Sequence, residues 1–211
     1  MNCSSVLTLA WCVFVWSSGL DSIVLIIFNY DRCIEHYLYH SIQNYYQISA
    51  EDVAKLLQSL EVYHPYGTVG SLPWLNSDRA IAFGDLPSVR QLLELASKIK
   101  TFTEGTDELS SDVKAIRAHM KTANKLVFLG FAFHRLNLEL LLPESESMKL
   151  GKPPTGRIVY ATAYGISPSN TSLIAGKLES RVTLSEKNIH IRNDLKCSGL
   201  IGEYSGSLTF A

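Results

Sequence analysis

The chain has 211 residues and is 46% hydrophobic, which allows one sizeable core in one domain or two small ones. Its 19 basic and 20 acidic side chains nearly cancel, so no net field draws it to nucleic acid or an anionic membrane, and we expect neither as a partner. The four cysteines include no C-x-x-C pair, which excludes a zinc knuckle and a redox dithiol, and free thiols predict a cytoplasmic protein.

Residues 1–21 are an atypical apolar segment, in which 6–16 imitate a secretory signal peptide. No Lys or Arg precedes Arg32, so the positively charged start of a signal peptide is missing. Asp21 interrupts the apolar stretch before it reaches the length of a membrane span. Secretion or membrane anchoring is therefore the less favoured alternative.

A strand that feeds directly into a helix follows this segment. Residues 22–28 are a continuous β-branched apolar run, typical of a strand buried on both faces of a parallel sheet. The apolar spacing over 31–42 is helical, and a capping-box pattern opens a second helix over 49–60. Residues 60–64 predict a short strand that Pro65 ends.

The middle of the chain repeats this alternation. Helical spacing recurs over 86–99 and 109–120, and an apolar run over 125–131 predicts a strand. Residues 136–142 predict a further helix. Residues 143–156 combine charged side chains with glycine and adjacent prolines, which predicts an exposed loop.

Beyond that loop the sequence predicts a strand over 157–164, a helix over 167–178 and a strand over 188–192. The tail after Cys197 is rich in glycine and serine and predicts no defined element. Strands that alternate with helices favour a parallel sheet flanked by helices, an α/β fold.

This pattern divides the chain into four segments. They are the apolar start 1–21, an α/β core 22–142, the loop 143–156 and a carboxy-terminal α/β extension 157–211.

Candidate site residues follow the ends of the predicted strands, at 28–31, 62–67 and 129–133. In open parallel sheets, ligands bind beyond the carboxyl ends of the strands, where loops converge. We therefore expect these strand ends to meet around one site.

Asn29 and Asp31 have two explanations. An amide can orient a ribose hydroxyl or a water, and a carboxylate can accept from a sugar hydroxyl or hold a base. Asn and Asp are also preferred helix caps, which a strand-to-helix junction needs without any ligand.

The histidine and glycine residues near these strand ends also have both a functional and a structural explanation. His64 can act as a general base near neutral pH, or can be structural before its proline turn. Gly67 and Gly130 could let a phosphate approach the backbone closely. Because no nucleotide-binding glycine motif is present, turns alone can also account for them. His36 and His40 are one helical turn apart without a third ligand, so no metal site is predicted.

Sequences at all these strand ends resemble, in order, motifs of bacterial sirtuin-like domains over 22–142. They are FNYDR at 28–32, HPYGTVG at 64–70 and FLGFAF at 128–133. The resemblance implies a Rossmann-like parallel sheet flanked by helices, with a pocket for NAD as substrate or ligand and without zinc.

The resemblance also implies roles for individual residues. Asn29 and Asp31 would face the nicotinamide ribose, and His64 would take a proton as nicotinamide leaves an oxocarbenium-like sugar. The implied reaction is NAD glycohydrolysis, which such bacterial proteins use in antiviral (antiphage) defence. The residues implied to line the pocket are Phe28, Tyr30, Tyr66, Gly67, Gly130 and Phe131.

The sequence departs from the family pattern in two places. Tyr66 precedes Gly67 where deacylase sirtuins have histidine, and with no four-cysteine zinc module present we do not expect deacylation. Gly19 is the only glycine before Asn29, so the family's glycine-rich phosphate loop is missing and the domain is expected to be amino-terminally incomplete. The alternatives to an enzyme are a nucleotide-binding module without turnover and a truncated interaction scaffold, as a homo-oligomer or with a partner that supplies the loop.

Overall fold

The computed structural model places six strands in one sheet with the order β3-β2-β1-β4-β5-β6. It describes residues 12–16, 23–75, 80–100, 111–144, 154–182 and 188–208. The strands are β1 Cys12–Trp16, β2 Ile23–Ile27, β3 Glu61–Tyr63, β4 Lys125–Leu129, β5 Ile158–Thr162 and β6 Ile189–Arg192.

Helices flank this sheet on both faces, which confirms the predicted α/β class. They are α1 Cys33–Tyr46, α2 Ala50–Gln58, α3 Val89–Ala96, α4 Ser111–Thr122, α5 Arg135–Leu141, α6 Pro168–Val182, α7 Cys197–Glu203 and α8 Ser205–Leu208. The predicted elements from residue 22 to 192 are found at their expected places, with ends that differ by a few residues. None of the helices in the described residues is both long and apolar enough to span a bilayer.

The direction of the central strand corrects the prediction of a wholly parallel sheet. Cys12 at the start of β1 pairs with Ile27 and Leu129, the last residues of β2 and β4, so β1 is antiparallel to both neighbours. The other strand pairs are parallel, which makes the sheet mixed. Only residues 17–22 join β1 to β2, and a parallel crossover needs a dozen or more residues.

The strand order is that of doubly wound nucleotide-binding sheets. The sheet is therefore Rossmann-like in order and differs in the direction of its central strand. Because β2 and β4 run the same way on either side of β1, their carboxyl ends lie at one edge of the sheet. This edge brings residues 28–31 and 129–133 to the two sides of the start of β1.

The apolar character of β1 results from burial on both faces. Val13 and Val15 belong to the core that α4, α5 and α6 cover, whereas Cys12 belongs to the core beneath α1, α7 and α8. A strand buried on both faces reads as a continuous apolar run. The sequence separates segment 1–21 from the core 22–142, but part of this segment is thus the central strand. The rest of the segment lies outside the described residues.

The carboxy-terminal third belongs to the same sheet. β5 pairs with β4, and β6 pairs with β5, so the sheet continues past the predicted loop 143–156. The tail after Cys197, for which no element is predicted, forms α7 and α8, and Leu200 and Leu208 pack into the second core. Apolar contacts with the sheet hold these short helices despite their glycine content.

Candidate functional site

A cleft of about 750 Å³ opens at the carboxyl ends of β2 and β4. Its walls come from all the predicted strand ends, because Asn29 and Asp31 follow β2, Tyr66 follows β3, and Ala132 follows β4. The expectation that these distant segments meet is matched by this geometry. The cleft has the size of typical small-molecule sites, which are about 300–1,000 Å³.

Phe28 and Tyr66 line the cleft with aromatic rings, whereas Gly130 and Phe131 line a separate hollow beside Thr162. The ring of Phe28 meets the rings of Tyr66 and Phe131 edge-on, at centroid distances of 5.8 and 5.2 Å. Edge-to-face packing at such distances is the favourable arrangement for aromatic pairs. Tyr30 is 37% exposed at the rim, and its hydroxyl donates to the carbonyl of Lys100 at 3.1 Å.

Asn29 and Asp31 form a small hydrogen-bonded unit at the end of β2. Nδ2 of Asn29 donates to Oδ2 of Asp31 at 3.1 Å, and Oδ1 of Asp31 accepts from the backbone N–H of Cys33 at 3.0 Å. The N-cap of α1 is Arg32, and Asp31, one residue before it, satisfies a backbone donor at the start of the helix without any ligand. Both residues also line the cleft, so capping and ligand contact are compatible.

Tyr66 and Asn137 supply a buried polar contact at the cleft wall. The Tyr66 hydroxyl donates to Oδ1 of Asn137 at 2.6 Å, and the two residues are 5% and 3% exposed. Burial raises the pKa of Tyr66 to about 12, so it remains a donor at neutral pH. Among the described residues, Nδ2 of Asn137 has no hydrogen-bond partner, which leaves this amide a donor to offer.

His134 and Asn137 line the cleft and were not among the predicted site residues. His134 precedes α5, and its Nδ1 accepts from the backbone N–H of Leu136 at 3.4 Å. Asn137 interrupts the apolar face that Leu140 and Leu141 continue at helical spacing. A polar residue on an otherwise buried helix face is the sequence signal that points to it.

His64 lies beside Asn29, but its imidazole does not line the cleft. Nδ1 is 3.1 Å from the backbone oxygen of Asn29, and Nε2 is 2.8 Å from Oε1 of Glu35. The ring borders a separate hollow of about 290 Å³, the His64 hollow, together with Arg32 and Glu35. The role of His64 as a base in the cleft stays a prediction that this geometry does not support.

Gly67 and Gly130 are required by the turns that contain them. Gly67 has a φ of +83°, and a Cβ there would lie 2.0 Å from the carbonyl oxygen of Lys98. Gly130 has a φ of +61°, and its N–H donates to Oγ1 of Thr162 at 2.8 Å. Backbone geometry therefore explains both glycines without a phosphate.

His36 and His40 belong to an aromatic cluster on α1. The His36 ring stacks on Phe83 at 4.1 Å and meets the His40 ring at 4.5 Å. In the part of the chain that the structure describes, no three His, Cys, Asp or Glu side chains are grouped to hold a metal ion.

Comparison with known proteins adds no relative to this description. No family model, no curated protein and no solved structure matches the chain.

Proposed function

We propose that the cleft binds a nucleotide of the NAD class and that binding without turnover is its activity. The proposal rests on one observation. Asn29, Asp31 and Asn137 line the same cleft beside aromatic rings, at the edge where β2 and β4 end on either side of β1. Sheets with this strand order bind dinucleotides in the crevice beyond their carboxyl strand ends.

The groups in the cleft match the parts of such a ligand. Sugar hydroxyls need acceptors, which the Asp31 carboxylate and the Asn29 amide oxygen provide. The carboxamide of nicotinamide or the ring nitrogens of adenine need a donor, and Asn137 can supply one through Nδ2. Phe28 and Tyr30 offer ring surface to a planar base.

Binding is favoured over cleavage because of the residue that precedes Gly67. Tyr66 lines the cleft there, and its raised pKa keeps it protonated, so it does not accept a proton at neutral pH. The His64 ring contacts Asn29 and Glu35 instead of the cleft.

NAD glycohydrolysis in antiphage defence is the second candidate. It is favoured by the exposed His134, an imidazole of the kind that serves as general acid or base in enzymes, at the same cleft as Asn29. In this reaction Asn29 would orient the attacking water or the ribose.

Calorimetric titration with NAD and with ADP-ribose tests the binding. Ala132 is exposed at the cleft, so Ala132→Trp fills the cleft without removing a core side chain, and we expect binding at least about ten-fold weaker. Ala118→Trp, at an exposed position of α4 away from the cleft, is the matched control and should bind like the wild type. Absence of saturable heat from the wild type, or equal affinity of the two variants, contradicts the proposal.

Release of nicotinamide from NAD separates the two candidates. We expect no more release from the wild type than from Ala132→Trp. Release by the wild type that is lost in Asn29→Ala would establish hydrolysis in place of simple binding.

A further inference from the structure

The imidazole of His64 lies between two groups that can only accept hydrogen bonds. The Asn29 carbonyl oxygen is 3.1 Å from Nδ1, and the Glu35 carboxylate oxygen Oε1 is 2.8 Å from Nε2. A backbone carbonyl and an ionised carboxylate carry no proton to donate. Both contacts are therefore hydrogen bonds only if both ring nitrogens carry a proton.

A neutral imidazole does not fit these contacts. It has one N–H, so one of the two contacts would bring a nitrogen lone pair against an oxygen lone pair. The side chains of His64 and Glu35 are 10% and 17% exposed, so a lost hydrogen bond would leave a largely buried polar atom without its partner.

Two charged side chains of the described residues, Glu35 and Arg32, border the His64 hollow. The Arg32 guanidinium interacts electrostatically with Glu35. Tyr63 and Glu61 point to the opposite face of β3, where Glu61 contacts His119 at 2.7 Å.

We propose that His64 is a positioning residue, which as an imidazolium ties Glu35 on α1 to the Asn29 carbonyl and so fixes the strand end that lines the cleft. The inference rests on the proposed nucleotide binding, because that strand end presents Asn29 and Asp31 to the ligand. It makes the affinity of the cleft depend on pH through a group outside the cleft.

The direction of this dependence follows from the proton count. Loss of one ring proton leaves a neutral His64 that can keep only one of its two bonds. The Asn29 strand end is then held less firmly, and we expect nucleotide affinity to fall by about ten-fold as the pH rises above neutral.

Glu35→Gln is the decisive variant. A glutamine amide at this position can donate to Nε2 of a neutral ring, while the Nδ1 proton still donates to Asn29. Both contacts then survive without the second proton, so the affinity of Glu35→Gln should be independent of pH. His64→Gln, which cannot span both partners, should bind weakly at every pH.

Calorimetric titration of NAD from neutral to alkaline pH compares the wild type with both variants. His134 is a second ionisable side chain at the cleft, and a pH dependence that originates there would persist in Glu35→Gln. Equal pH dependence of the wild type and Glu35→Gln therefore overturns the proposal.

A second measurement needs no ligand. Nitrogen-15 NMR of the free protein at neutral pH should show both ring nitrogens of His64 protonated in the wild type and one in Glu35→Gln. A neutral His64 in the wild type overturns the proposal. Two protonated nitrogens without NAD binding at any pH would instead contradict the proposed function and leave the protonation of His64 established.

Discussion

The hydrogen bond from Tyr66 to Asn137 is the buried polar contact on which the cleft wall depends. Tyr66→Phe keeps the ring but leaves Oδ1 of Asn137 buried without this donor. We expect a loss of about 1–3 kcal/mol in the free energy of unfolding, measured by urea denaturation. Tyr46→Phe, at a side chain that is 65% exposed, is the control and should change stability by less than about 0.5 kcal/mol.

Alanine substitutions at Gly67 and Gly84 distinguish the cost of backbone strain from the cost of a steric clash. Both have positive φ, at +83° and +86°, but a Cβ meets the Lys98 carbonyl only at Gly67. Gly84→Ala should cost about 1–2 kcal/mol of unfolding free energy from the left-handed backbone alone. Gly67→Ala should cost more than about 4 kcal/mol, since residues 67 and 98 must also move apart. Equal losses in thermal or urea unfolding would contradict the steric explanation.

The sequence predicts where Asn29 and Asp31 lie but not which way the His64 ring points, for a physical reason. The first two follow a strand directly, and the position of a strand end fixes which edge of the sheet they reach. The direction of the His64 ring depends on Glu35, which is on another element, and no local pattern encodes that contact. Asn137 is visible in the sequence only as a break in an apolar helix face.

Among the helices, α2 and α3 are both capped by serine but differ in packing. Oγ of Ser49 accepts from the N–H of Asp52 at 3.1 Å, which is half of the predicted capping box, and α2 buries Val53 and Leu57. Ser88 caps α3 with a complete capping box, but α3 has no buried residues.

This difference gives a prediction about where each cap matters. Ser49→Ala should lower the global free energy of unfolding by about 1 kcal/mol, because α2 is packed and unfolds with the core. Ser88→Ala should increase amide hydrogen exchange within Val89–Ala96 and leave global stability unchanged. An equal global loss in both variants would contradict this distinction.

Strand positions are predictable here, but the direction of β1 is not. A strand buried on both faces gives the same continuous apolar run whichever way it points. In β1 this run also resembles a signal peptide, so the composition of residues 12–16 identifies neither the strand nor its place at the centre of the sheet. Helices α7 and α8 are not predicted because their sequence has too few apolar residues rather than too many. It is rich in glycine, and only a few apolar side chains pack into the core.

The reactivity of the buried cysteine thiols can be used to measure unfolding of the whole molecule. Cys12 is fully buried in the central strand and Cys197 is 4% exposed, and burial raises the pKa of both thiols. Cys33 is half-buried, and its pKa is raised to about 11, mainly by burial and then by Asp31. The thiolate is the reactive form, so all three should react slowly in the native protein.

A thiol-labelling experiment tests this ranking in a Cys3→Ser background, since Cys3 lies outside the described residues. We expect Cys33 to react first, and Cys12 and Cys197 to react only at the rate of global unfolding, as followed by peptide mass spectrometry. Labelling of Cys12 as fast as that of Cys33 in native buffer would show that β1 opens without the rest of the sheet.

The reversed direction of β1 also bears on the order of folding events. In a wholly parallel sheet, each strand pairs with its neighbour only after a long crossover has closed. Here residues 12–27 can close a hairpin, an event that takes about 1–10 μs and costs little loop entropy. The centre of the sheet can therefore form early through local contacts between β1 and β2. The other edge of β1 is then available to pair with β4, which follows much later in the chain.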